Sequence, residues 1–270
     1  MTLKTEKIKS LIAEMDSALV AFSGGVDSTL VLALAHEILG EKALAVTAQS
    51  ASVPDRELNA SRQLAKEIGA RHRIIKTDEM SNPSYRANPA NRCYHCKSEL
   101  YTSLNRVAEQ ENITHILNGT NIDDLGDYRP GLDSAREQNV RSPLVEAGFS
   151  KQDVRDLSRK MGLSIWNKPA MACLSSRIPY GQPVTPEKLS MIEQAEDLML
   201  SLGFEQLRVR HHGDLARIEL GQNEIPRYMN NETIQKTVQE KFKTLGFATV
   251  VLAPEGYRMG SLNATLEIKK

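Results

Sequence analysis

The stretch Ser17-Ala18-Leu19-Val20-Ala21-Phe22-Ser23-Gly24-Gly25-Val26-Asp27-Ser28-Thr29 decides the fold. Its apolar half, Ser17–Phe22, predicts a short buried strand that runs straight into Ser-Gly-Gly. A helix is expected over Ser28–Leu39, stopped by Gly40. A glycine turn between a strand and a helix start brings unpaired backbone N–H groups and a positive dipole end to one point, which is a ready anion site. The two glycines let backbone approach a ligand without side-chain obstruction.

Working outward, Leu3–Met15 carries a loose helical stripe, Ala43–Ala48 and Arg71–Lys76 read as strands, and Pro54–Ile68 reads as a helix closed by Gly69. An irregular stretch, Thr77–Cys96, contains Pro83 and Pro89. So long a loop in a compact domain is usually functional. Lys97–Glu111 is expected to be a helix, His115–Asn118 a strand, and Lys151–Met161 a helix stopped by Gly162. Strands alternating with helices predict an α/β fold with a parallel, doubly wound sheet. After Gly181 the pattern changes to a helix over Pro186–Leu202, strands Gln206–His211 and Ala216–Leu220 around Gly213, a helix Glu232–Leu245 and a strand Ala248–Leu252. This predicts two domains, residues 1–180 and a smaller α+β domain over 181–270.

The chain has 270 residues, 34 Lys plus Arg against 34 Asp plus Glu, and three cysteines. A protein that grips a nucleic-acid backbone usually carries a basic surplus, and this balance argues against one as partner. No apolar run is long enough for a membrane helix, and the charged N-terminal turns fit no signal peptide. A small odd number of cysteines is unlike a secreted disulfide framework, so a cytoplasmic location is expected.

The loop lacks the lysine of the Walker pattern. Ser23, Ser28 and Thr29 offer hydroxyls beside Gly24 and Gly25, and Asp27 is a candidate ligand for Mg²⁺. The heptad Ser23–Thr29 resembles the signature of the PP-loop ATP pyrophosphatases, which implies ATP as cosubstrate and a loop that holds the β and γ phosphates as leaving pyrophosphate. Ligands of such sheets sit beyond the carboxyl ends of the strands, so Thr47 and Gly119 are expected to line the adenosine, ordinary turns being the alternative.

Cys93 and Cys96 form a Cys-x-x-Cys pair around His95, and Cys173 lies far downstream in Met171-Ala172-Cys173-Leu174-Ser175-Ser176-Arg177. Structural zinc recruiting a fourth ligand, a redox disulfide, inert core cysteines and a [4Fe–4S] cluster on three thiolates all remain open on spacing alone.

The loop heptad, Asp127-Tyr128-Arg129-Pro130-Gly131, the Cys173–Gly181 segment and Arg208-Val209-Arg210 together resemble the LarE group of sulfur transferases. That resemblance spans nearly the whole chain. It implies adenylation of pyridinium-3,5-biscarboxylic acid mononucleotide and conversion of its carboxylates to thiocarboxylates for a nickel-pincer nucleotide cofactor. One branch of the group sacrifices the sulfur of a single cysteine. Another carries three cysteines, and Cys93, Cys96 and Cys173 resemble that branch, which implies a [4Fe–4S] cluster recharged by sulfide or another sulfur donor. Cys173, Asp27 and Ser28 are then expected as the catalytic residues. A homo-oligomer is also implied.

Arg208 and Arg210 alternate along a strand and share a face, where two guanidinium forks suit a substrate phosphate or carboxylates; a solvated strand face is the alternative. Ser175, Ser176 and Arg177 are expected to orient the substrate or the cluster, or else to form a turn. Glu196 matches an acidic position of the group, or is a surface residue. The rival functions are a tRNA thiolase, an amidotransferase of the NAD or GMP synthetase kind, and a nucleotide-sensing or zinc-stabilised binding module.

Overall fold

The computed structural model describes residues 3–126, 130–169 and 172–258. The chain divides into two compact units, residues 1–82 with 91–171 and residues 83–90 with 172–270. The second unit therefore begins at Ala172, ahead of the expected boundary at 181, and takes a short piece out of the middle of the first.

The first unit opens with α1 (Leu3–Ala13), β1 (Ala18–Ala21) and α2 (Val26–Leu39), followed by β2 (Ala43–Gln49), α3 (Asp55–Ile68) and β3 (Arg71–Lys76). After α4 (Pro83–Arg86), which belongs to the second unit, come α5 (Arg92–Gln110), β4 (His115–Leu117), α6 (Gly131–Glu137), α7 (Pro143–Glu146) and α8 (Lys151–Lys160). The four strands are parallel in the order β3-β2-β1-β4. Alternation along the central strands divides the core. Ala18, Val20, Ala43 and Ala45 pack with α1, α2 and α8, whereas Leu19, Leu44 and Val46 pack with Tyr101, Leu104 and Val107 of α5. Both faces are covered, as a doubly wound sheet requires.

Most boundaries differ from the sequence expectation by a residue or so, and two that bear on the site differ by more. The second helix begins at Val26 rather than Ser28, because Asp27 is well placed in a first turn beside the positive helix end. Helix α5 begins at Arg92, so Cys93 and Cys96 belong to its first turns and not to a loop. The helices α6 and α7 are additions to the sequence expectation; each is short, α6 with seven residues and α7 with four.

The second unit consists of α4, α9 (Pro186–Ser201), β5 (Leu207–His212), β6 (Leu215–Leu220), α10 (Ile225–Met229), α11 (Glu232–Leu245) and β7 (Thr249–Leu252). Strands β5 and β6 are antiparallel, and β6 and β7 are parallel. Leu207, Val209, Ala216, Ile218 and Leu220 pack against Ala195, Met199, Val238 and Phe242 of α9 and α11. By alternation the opposite face carries Arg208, Arg210, Arg217 and Glu219.

Candidate functional site

In the first unit the strand order reverses between β1 and β4, and such a switch point is where open α/β sheets bind ligands. The loop after β1 lies there. Gly24 has φ +69°, a conformation that side chains rarely adopt. The Ser28 hydroxyl donates to the Gly25 carbonyl at 3.1 Å, so the Ser23 hydroxyl is the donor in its 3.1 Å bond to Ser28. Ser23 Oγ in turn accepts the Gly25 N–H. These bonds close the loop on itself. The amides of Val26 to Ser28, in the first turn of α2, have no partner within the helix.

Gly119, at the end of β4, is pressed against this turn. A Cβ at position 119 would sit 2.6 Å from the Ser28 nitrogen, so any other residue would cover the amides that the loop presents. Two buried polar atoms nearby, Thr29 Oγ1 and Asn118 Nδ2, have no hydrogen-bond partner within the structure. Thr29 is nevertheless 0% exposed in the free protein. Thr47 is buried too. Its hydroxyl donates to the Phe22 carbonyl at 2.7 Å and so is the acceptor for His72 Nε2 at 2.9 Å. It ties β2 to the start of the loop. Burial, and then the Arg62 charge, keep the His72 ring below its ordinary pKa.

Asp27 is held from two sides. Lys151 Nζ lies 2.5 Å from its Oδ2, and Asn121 Nδ2 donates to its Oδ1 at 3.1 Å. Lys151 is the first residue of α8, and its backbone N–H donates to Asp123. A capping box of Ser150 and Asp153 fixes that helix start.

In the second unit Cys173 caps a helical turn, Leu174–Arg177. Its carbonyl accepts from Ser176 N, Ser176 Oγ and Arg177 Nη1. Arg177 does not face a ligand: it is 0% exposed and pairs bidentately with Glu196, Nε to Oε1 at 2.8 Å and Nη2 to Oε2 at 3.1 Å. Its Nη1 also reaches the Ala172 carbonyl. The expectation that Arg177 binds substrate therefore gives way to a structural role, because its donors are taken up inside the fold. Glu196, 1% exposed, is no surface residue, and its Oε1 also accepts the Val209 N–H of β5. Ser175 is likewise buried, 2.6 Å from the Tyr85 hydroxyl.

Arg208 and Arg210 do share a face, but not as two equal forks. Arg210 pairs with Glu219 at 2.8 Å and donates to the Ser176 carbonyl. Arg208 stacks 4.9 Å from the Tyr257 ring centroid and donates to the Leu207 carbonyl. Burial, and next the Arg177 charge, lower its pKa, so its cation gains from an approaching anion.

Against this geometry, a family model described as the queuosine biosynthesis protein QueC matches residues 17–91, the stretch holding β1 to β3 and the loop. An uncharacterised protein of Synechocystis is 46% identical over 263 residues, 97% of this chain and 98% of its own length. The pyridinium-3,5-bisthiocarboxylic acid mononucleotide synthase of Lactiplantibacillus plantarum is 38% identical over 268 residues, 98% of this chain and 96% of the synthase. The chain belongs to the LarE-type sulfur transferases. A subunit of the glutamine-hydrolysing GMP synthase of Archaeoglobus fulgidus is 25% identical over 208 residues, 67% of this chain and 63% of its own length.

For a LarE-type chain, the residue that sequence reading missed is Lys151, which carries no motif signal and which only the fold brings to Asp27. Asn121 belongs to the stretch Gly119-Thr120-Asn121, which the sequence places at the carboxyl end of β4 for the adenosine, and it bonds Asp27 instead. Asp127, Tyr128 and Arg129 of the quoted motif, and Met171 beside Cys173, lie outside the described residues. The three cysteines form no disulfide; Cys93 is exposed and the other two are half-buried. Cys93 and Cys96 stand three apart on one helix and share a face. Among the described residues no group of three or more His, Cys, Asp or Glu is gathered to hold a metal ion. No described helix is long and apolar enough to cross a membrane.

Proposed function

We propose that the chain is an ATP-dependent transferase that activates the carboxylates of pyridinium-3,5-biscarboxylic acid mononucleotide as adenylates and converts them to thiocarboxylates. The observation that carries this reading is the match to the Lactiplantibacillus synthase along 98% of the chain. The loop supports it independently, since its amides and hydroxyls lie at the strand switch point without a Walker lysine.

A carboxylate is a poor electrophile and needs activation. The substrate carboxylate attacks the α-phosphorus of ATP, the α–β P–O bond breaks, and pyrophosphate leaves. The amides of Val26 to Ser28, with Ser23 and Ser28, hold the β and γ phosphates of the departing group. Asp27 would hold Mg²⁺, which when bound would neutralise charge on the phosphates. Lys151, 2.5 Å from Asp27, is a cation beside the loop that can serve the phosphates in place of the missing Walker lysine. Gly119 keeps the Ser28 amide open, while Thr47 braces the strand beneath. On the second unit Arg208 and Arg210 take the substrate phosphate or its second carboxylate, with Ser176 at the start of that face. A sulfur nucleophile then displaces AMP at the acyl carbon.

Three thiolates suit a [4Fe–4S] cluster that leaves one iron without a protein ligand, whereas tetrahedral zinc takes four ligands. Cys93, Cys96 and Cys173 would hold the cluster, and when bound it supplies an iron open to exogenous sulfide.

Anaerobic protein given ATP, substrate and excess sulfide tests the reading. Multiple turnovers with an unchanged chain mass are expected, and Cys93→Ser or Cys96→Ser should be nearly as damaging as Cys173→Ser. A single turnover with loss of the sulfur at position 173 would replace it with the sacrificial mechanism. Pyrophosphate release by Asp27→Ala and Ser28→Ala at the rate of the unaltered protein would overturn the ATP assignment.

A further inference from the structure

The segment Pro83–Ala90 interrupts the first unit yet belongs to the second. It is bonded along the loop that follows Cys173. The Tyr85 hydroxyl meets Ser175 Oγ at 2.6 Å, both side chains buried. Val184 N donates to the Arg86 carbonyl, and Gly181 N donates to the Asn88 carbonyl, each at 2.9 Å. Asn88 is 0% exposed and has φ +55°, the left-handed region in which Asn is the best tolerated residue after Gly. In that conformation its amide Nδ2 reaches three carbonyls, Pro179 at 2.8 Å, Gln182 at 2.9 Å and Ile178 at 3.3 Å.

A turn could be closed more simply. Here one buried amide serves three carbonyls of the same loop, and a second tether grips the residue two positions after Cys173. Arg177 and Arg210 hold the loop from its other sides, through the carbonyls of Cys173 and Ser176. We propose that Asn88 and Tyr85 are positioning residues for Cys173: the strap 83–90 fixes the backbone that presents this thiol. The inference rests on the reading that the Cys173 thiolate takes part in sulfur transfer. Neither residue touches the reacting atoms. Their part is to hold the Cys173 sulfur in one orientation for its role in sulfur transfer.

Thiol reactivity tests this without turnover. The folded, reduced protein, freed of any iron with a chelator, is treated with iodoacetamide, and alkylation of each cysteine is followed by peptide mass spectrometry. Cys93 and Cys96 serve as internal references. Asn88→Asp keeps the shape and the left-handed backbone but turns a donor into an acceptor facing carbonyls. Asn88→Gly keeps the backbone conformation alone, and Tyr85→Phe removes one hydroxyl. At a temperature well below unfolding, both Asn88 variants should alkylate at Cys173 about tenfold faster than the unaltered protein, and Tyr85→Phe severalfold faster, with Cys93 within about twofold. Sulfur transfer should fall in kcat while the KM for ATP stays put. An unchanged Cys173 rate in all three variants, or an equal rise at all three cysteines with a lowered Tm, would reduce the strap to a general fold pin and overturn the proposal. Failure of the underlying reading appears elsewhere, as sulfur transfer retained by Cys173→Ser.

Discussion

Replacing Glu196 by Gln leaves the volume of the α9 side chain almost unchanged but strips the charge from a pair that has no access to water, Arg177 being 0% and Glu196 1% exposed. The guanidinium then stays buried opposite an amide whose NH₂ end faces the Arg177 Nη2 donor. Breaking a buried pair by removing one partner costs roughly 3–5 kcal/mol, because the other charge is left uncompensated. With a melting shift of about 2–4 °C per kcal/mol for domains of 150–250 residues, Tm should fall by roughly 6–20 °C. Arg177→Met with Glu196→Leu removes both charges and should recover much of that loss, since well-packed apolar replacements of buried pairs are often neutral. Even so, the Cys173 and Ala172 carbonyls lose their guanidinium donor, so the double variant should be stable but slow in sulfur transfer. Differential scanning calorimetry with a steady-state assay reads both effects. A Glu196→Gln protein whose Tm lies within about 1 °C of the original, with a raised substrate KM, would refute the structural role and return Arg177 to substrate binding.

Two further outcomes follow from the nucleotide loop. Gly119→Ala forces a Cβ to 2.6 Å from the Ser28 nitrogen, so β4 must shift from the loop at a cost of about 1–3 kcal/mol. Affinity for a non-hydrolysable ATP analogue, measured by calorimetry, should drop about tenfold or more, and an unchanged Kd would show that the Ser28 amide is not part of the site. Lys151→Met should lower kcat/KM for pyrophosphate release about 10- to 150-fold, the range of one charge-assisted hydrogen bond, while Lys151→Arg keeps part of the activity. Full activity of Lys151→Met would leave the loop without its proposed cation.

The central part of the fold was legible because local signals agreed there. An apolar run meeting Gly24-Gly25 predicts strand, turn and helix, and alternating strands and helices fix a parallel sheet. The start of α5 was not legible: no side chain caps it at Asn91, and Pro89 nearby reads as a loop, so Cys93 and Cys96 read as loop residues too. The loop residues of the site were readable as types but not as contacts. Thr47 and Thr29 have suitable hydroxyls, yet one is spent on Phe22 and the other is buried. Lys151 and Asp27 are 124 positions apart, a pairing that only long-range packing creates. Arg177 and Glu196 misled for a related reason. Charged residues are ordinarily on the surface, and nothing local marks a pair that the core has enclosed.

The bond from Val209 to Glu196 bears on how copies of this chain behave when crowded. Strand β5 is the outermost of its sheet, and an outermost strand offers a row of amides and carbonyls on which another molecule's strand can template. Here the amide in the middle of that row is already engaged by a buried carboxylate from the same fold, so it is not open to an incoming backbone. The acid that steadies the Cys173 turn thus also guards the sheet against growth by intermolecular pairing.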